Sequence, residues 1–162
     1  MMVPRLAIYI DGANIDTPAR GASIRINYTR FYTYLVDKRN VILANYYDSK
    51  TNHPGKKAFY GKVKAAGFKV ILGPMVKYGK QKEIDVQIAV DMVSDAYENK
   101  FDIAVLGSGD GDMAPAVRKL ISMKKDVEVV SFNDPSGKQF AWSLKTCATR
   151  IRDLTYDINK II

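Results

Sequence analysis

The chain has 162 residues, 47% of them hydrophobic, a single cysteine, and a formal net charge of +8 from 25 basic and 17 acidic side chains. That length suits one domain, 1-162, with a proper core, and the lone Cys147 excludes both an intramolecular disulfide and a cysteine-based zinc site. No apolar run approaches the ~18 residues of a membrane span, and the start, MMVPR, lacks the form of a signal peptide; a cytoplasmic protein without a membrane partner is expected, with a basic surface that suits a polyanion.

Arg5 to Ile10, RLAIYI, is a short continuous apolar run and predicts a central strand covered on both faces. It ends at Asp11-Gly12-Ala13-Asn14, which either places polar oxygens at a strand's carboxyl end or simply opens a turn. Ile15 to Ile26 reads as irregular and carries Arg20 and Arg25. Asn27 to Lys38 predicts a helix with Asn27 as cap and Phe31, Tyr34 and Leu35 as its inner stripe. Val41 to Tyr47 predicts a strand. The polar loop after it holds His53, the only histidine, read as solvated. Lys56 to Ala66 predicts a helix closed by Gly67, and Phe68 to Leu72 a strand. Gly73 to Glu83 is a long connection with Lys77, Lys80 and Lys82, either a binding loop or a solvated one.

Glu83 to Tyr97 is the clearest helix. Asp85 shares a stripe with Ala89, Met92 and Ala96, a face that should meet the sheet. A carboxylate there is costly unless it is paired, protonated or bound to a metal. Asp91 lies about a third of a turn away and reads as exposed, or as a support behind the site. Asp102 to Leu106 predicts a buried strand. It runs into Gly107-Ser108-Gly109-Asp110-Gly111-Asp112 and then a helix over Met113 to Met123, whose Pro115 fits only a first turn. A phosphate loop would combine glycines with a lysine. This loop combines glycines with two carboxylates, which suit either a hard cation such as Mg²⁺ or Mn²⁺ or a helix cap. Val127 to Phe132 predicts a fifth strand and Lys138 to Thr146 a helix. Arg150 to Ile162 reads as a short strand or coil followed by a terminal helix.

Alternating strands and helices indicate an α/β fold with a parallel sheet and right-handed crossovers. The expected order of the five strands is 3-2-1-4-5, which makes the first and fourth neighbours at the switch point. Asp11, Asp85, Asp110 and Asp112 then face one crevice. Two carboxylates ~5 Å apart repel by roughly 3 kcal/mol at an effective dielectric of ~20, a cost that a metal site explains and a fold alone does not.

IDGANI at Ile10 to Ile15, KEIDVQIAVD at Lys82 to Asp91 and VLGSGDGDMAP at Val105 to Pro115 closely resemble, in order, the NYN domains of the LabA-like kind within the PIN-like nuclease superfamily. The resemblance implies a Rossmann-like, PIN-type three-layer sandwich around a mainly parallel five-stranded sheet. It also implies an Asp cluster that binds Mg²⁺ or Mn²⁺ and cleaves RNA. Carried over, it implicates Asp11, Asn14, Asp85, Asp110 and Asp112 in catalysis, the four acids among them as metal ligands. It further implicates Asp91, kept as a support behind the ligands. Met113 stands where the family usually has an aromatic.

The reading that follows is a metal-dependent ribonuclease that hydrolyses RNA phosphodiesters with a metal-activated water. Asn14 orients the water or the scissile phosphate, and Ser108 hydrogen-bonds a ligand carboxylate. Lys77, Lys80, Lys82, Arg20 and Arg25 hold the RNA backbone without reading sequence. The alternative is a regulator on the same scaffold that binds RNA or protein with little turnover. A small phosphohydrolase is a third, against which stands the lack of a P-loop or GxGxxG. The oligomeric state is left open, a homodimer included.

Overall fold

Each crossover returns the chain to the same edge of the sheet, so every strand pairing is parallel. The computed structural model describes residues 2–75, 82–133 and 139–162. The elements are β1 (Arg5–Asp11), α1 (Gly12–Gly21), α2 (Tyr28–Val36), β2 (Asn40–Ser49), α3 (Lys56–Ala66), β3 (Lys69–Gly73), α4 (Lys82–Tyr97), β4 (Ile103–Gly107), a 3-10 turn over Gly111–Met113, α5 (Ala114–Ser122), β5 (Asp126–Ser131), α6 (Trp142–Cys147) and β6 (Arg150–Asp153). The sheet has six strands in the order β3-β2-β1-β4-β5-β6.

The central strand shows why a continuous apolar run marks a covered strand. Leu6, Ile8 and Ile10 point into a core beneath α1, α2 and α3, with Ile15, Phe31, Leu35 and Val63. Ala7 and Tyr9 point the other way, into a core with Ile88 and Met92 of α4, Val117 and Leu120 of α5 and Leu144 of α6. Alternate residues of one strand thus serve two cores. β1 lies between β2 and β4, with Asp11 opposite Tyr47 and Ile10 opposite Gly107. The carboxyl ends of the first and fourth strands therefore adjoin, as expected.

Four expectations need correction. Ile15 to Ile26 is not irregular throughout: Asp11 caps α1, which runs over Gly12–Gly21 with Pro18 inside it. Pro18 lacks the N–H that would bond one turn back, which is why the sequence reads as broken there. Burial of Ile15 and Ala19 one turn apart holds the helix all the same. Second, the sheet has a sixth strand. β6 is only RIRD, yet Arg152 is buried, with its guanidinium 4.0 Å from the Tyr34 ring and bonded to Glu128. Arg39 also pairs with Glu128, so this strand is held by charge pairing that hydropathy does not register. Third, the terminal helix is a single 3-10 turn over Ile158–Lys160. The helix expected from Lys138 starts at Trp142, because Ala141 N–H is bonded to the Gly109 carbonyl at 2.9 Å. Lys138 itself lies outside the described residues.

Among the described residues no helix is long and apolar enough to cross a membrane.

Candidate metal centre

The carboxyl edge at β1 and β4 opens into a cleft of about 460 Å³, lined by Asp11, Asn14, Asp85, Gly109, Asp110 and Gln139 among others. Three of its acids come from three separated segments, and each sits at the start of a helical element. Asp11 ends β1 and caps α1, accepting the Asn14 N–H at 3.2 Å. Asp85 lies in the first turn of α4. Asp110 caps the 3-10 turn and accepts the Asp112 N–H at 2.9 Å.

The loop after β4 is fastened from two sides. Asn14 Oδ1 accepts the Gly109 N–H at 2.7 Å, tying the start of α1 to the loop. On the other side the backbone at Gln139 presses against Gly109 so closely that an added Cβ would lie 1.7 Å from the Gln139 carbonyl oxygen. Only glycine fits. Gly12 is bound in the same way, since a Cβ there would meet the Tyr46 hydroxyl at 2.3 Å. That hydroxyl, with Tyr28, donates to Asp16 and so seats α1 on the sheet.

Electrostatics follow from this geometry. Asp11 is 5% exposed. Burial raises its pKa to about 7, opposed by the Asn14 N–H and assisted by Asp85, which lies within hydrogen-bonding distance, and by Asp110. Burial also raises the pKa of Asp85, as do Asp110 and Asp112. Asp11 acts on Asp85 in the other sense and lowers its pKa, so within the pair it is Asp11 that is pushed toward the protonated form.

The remaining expected residues fall in different places. Asp112 is exposed, beside the cleft, and acts on Asp85 through its charge. Asp91 accepts from the Tyr47 hydroxyl at 2.7 Å and from Gln87 at 2.8 Å, which ties α4 to β2 two helical turns behind Asp85. Ser108 is fully buried, and its Oγ accepts the Asp110 backbone N–H at 3.2 Å; the partner is the loop backbone, not a carboxylate. Arg20 and Arg25 are exposed and do not line the cleft. Lys77 and Lys80 lie outside the described residues, and of Lys82 only the place at the start of α4 is described.

Sequence reasoning did not single out Thr17, Pro18, Gln139 and Ala141, which complete the cleft. Their only signal was position: two lie a turn beyond Asn14, and two in a segment that folds back from beyond β5. It also passed over Asp16, whose two tyrosine partners come from α2 and β2.

The donor set is all oxygen, which fits a hard divalent cation such as Mg²⁺ or Mn²⁺. Asp11, Asp85 and Asp110 are the residues that would hold it. Among the described residues, however, no three acidic, histidine or cysteine side chains stand together in an arrangement ready to hold an ion. One oxygen of Asp11 and one of Asp110 are turned to backbone N–H groups.

A family model described as NYN domain matches residues 5–155. Among solved structures, the chain is similar to a protein of unknown function from Vibrio parahaemolyticus RIMD 2210633, with a TM-score of 0.81, 24% identity and coverage of 94% of this chain and 93% of that one. That likeness is one of fold. A search of curated proteins finds no match.

Proposed function

The chain belongs to the NYN domain family of the PIN-like nuclease superfamily, and from that premise we propose that it is a ribonuclease that depends on Mg²⁺ or Mn²⁺ and acts at the Asp11–Asp85–Asp110 cleft. The observation that carries this reading is the convergence of Asp11, Asp85 and Asp110, from three separated segments, on one cleft. Burial of like charges at one edge is costly to a fold and useful to a cation site. Mg²⁺ or Mn²⁺, when bound, supplies charge that offsets the negative charge growing on the phosphate oxygens during hydrolysis.

The chain's own groups do the rest. Asp11 and Asp85 present carboxylate oxygens to the cleft, joined by the free oxygen of Asp110. Asn14 uses its Oδ1 on Gly109, which leaves its amide N–H groups to donate to a phosphate oxygen or a water. Asp112, at the rim, takes part through water. Lys77, Lys80 and Lys82, with Arg20 and Arg25, hold the RNA backbone by charge.

A second reading, a regulator that binds RNA with little turnover, is favoured by one observation: the lack of a ready three-acid group among the described residues. One assay separates the two. A labelled single-stranded RNA is incubated with the protein in Mn²⁺, in Mg²⁺ and in chelator, beside the Asp11→Asn variant. Cleavage in either metal that disappears with chelator and with the variant is expected. Binding without cleavage in any buffer selects the regulator.

A further inference from the structure

The carboxyl edge does not end at the acidic cleft. Following it across β5 and β6 leads over Gln139 and Ala141, which line the cleft, to Trp142, the first residue of α6. Trp142 is the chain's only tryptophan and is 77% exposed. Tryptophan is usually well buried, and this one stands one residue from a cleft wall. The start of α6 is fixed there, because Ala141 N–H is bonded to the Gly109 carbonyl and Ser143 packs against Gly111.

Lys145 lies on the same flank of α6, three residues on. Its ammonium is 5.1 Å from the Phe140 ring and donates to Asn133 Oδ1 at 3.1 Å. Asn133 is in turn joined to Thr155, its N–H donating to Thr155 Oγ1 at 2.9 Å. Tyr156 comes next and is 91% exposed. The edge therefore presents an exposed indole, an ammonium and an exposed phenol, and the hydrogen bonds from Lys145 through Asn133 to Thr155 join the start of α6 to the segment that carries Tyr156.

We propose that this edge is a track for single-stranded RNA leaving the cleft, with Trp142 and Tyr156 as stacking platforms for two bases and Lys145 between them for the backbone. Aromatic faces alternating with a cation bind single strands with little regard to sequence, since every base has a π-face. An edge of this kind favours an unpaired strand over a duplex, whose bases are already stacked on one another. The proposal rests on the ribonuclease reading, because it requires RNA at the acidic cleft.

The sole tryptophan is its own reporter. Single-stranded oligoribonucleotide is titrated into the full chain in chelator, so that binding is read without cleavage, and both tryptophan emission and oligonucleotide anisotropy are followed. Emission should quench in step with the anisotropy rise. Trp142→Ala and Tyr156→Ala should each weaken binding about tenfold, within the range for loss of one stacked base, and Trp142→Phe should restore most of it. These are exposed positions, where such changes leave the fold intact. Tyr97→Ala is the control: Tyr97 is 84% exposed but ends α4, at the opposite edge of the sheet, and its loss should leave affinity unchanged.

Binding without quenching, full affinity in Trp142→Ala, or an equal loss in Tyr97→Ala would overturn the track while leaving the ribonuclease reading intact if Mn²⁺ still supports cleavage. No binding and no cleavage would overturn both.

Discussion

Asp85→Asn tests the crowding of the acids directly. Asparagine keeps the size of Asp85, removes one charge from beside Asp11 and offers an N–H to its carboxylate. Asp11 has its pKa raised to about 7 by burial, with Asp85 and Asp110 adding to the shift. A raised folded-state pKa means that the native state holds the proton more tightly than the unfolded chain does. Stability from this group is therefore complete below the unfolded value of about 4 and declines as pH rises, the loss being complete above about 7.

In the variant Asp11 should titrate lower, and the decline should be shallower. The repulsion between two charges ~4–5 Å apart at an effective dielectric of ~20 sets a ceiling of roughly 3–4 kcal/mol. Asp85 is half-buried, so solvent screening reduces this to about 1–2 kcal/mol. For a chain of this size each kcal/mol moves Tm by about 2–4 °C. In chelator at pH 8 the variant should therefore melt roughly 3–6 °C above the parent, and at pH 4.5 the two should coincide. Mn²⁺ at about a hundred times its Kd should stabilise the parent by about 2.7 kcal/mol and the variant far less. Thermal melts of both proteins in chelator at pH 8, in chelator at pH 4.5 and in Mn²⁺ read all of this. A variant no more stable than the parent at pH 8 in chelator, with the same pH slope, would refute the reasoning.

Other outcomes follow from the same geometry. Asn14→Ala removes the acceptor of the buried Gly109 N–H and should cost about 1–3 kcal/mol, visible as a lower urea midpoint with unchanged slope. Gly109→Ala drives a Cβ into the Gln139 carbonyl; it should lower Tm and abolish RNA cleavage together, since the loop that carries Asp110 must move. Replacing Lys77, Lys80 and Lys82 with alanine should weaken RNA binding alike for every sequence and flatten the salt dependence by about 0.7 for each phosphate no longer neutralised, read by anisotropy across a salt series.

The sequence carried the order of the central strands because the pattern that encodes them is long and physical. RLAIYI and DIAVL are buried on both faces, and each ends in residues unsuited to a strand interior. It carried the meeting of Asp11, Asp85 and Asp110 for the same reason: a parallel crossover puts every strand's carboxyl end on one edge. α1 was hidden because its cap, Asp11, doubles as a candidate ligand, and because Pro18 sits where a helix interior would forbid it without the support of Ile15 and Ala19. β6 read only as a short strand or coil and was not counted in the sheet, because its buried member is an arginine whose partners, Glu128 and Tyr34, are distant in sequence. Asp91 has helical spacing that suggests exposure. The tyrosine that holds it comes from β2, and no periodicity within α4 announces that.

Three acids can gather at one edge because three helical starts gather there too. In a parallel sheet each helix that follows a strand begins at the carboxyl edge, and its unsatisfied N–H groups and dipole favour negative charge by about 0.3–1 kcal/mol each. Asp11 and Asp110 use this directly, each accepting a backbone N–H. The fold therefore tolerates their charges partly on structural grounds, and neutralising either one disturbs a cap as well as the cluster. Asp85 has the dipole of α4 but no described capping bond, and it shares the cleft with the carboxylates of Asp11 and Asp110. Its charge is the one the helix starts explain least and a cation site explains best. For that reason a change at Asp85 reports on the cluster alone, where the same change at Asp11 or Asp110 would mix two effects.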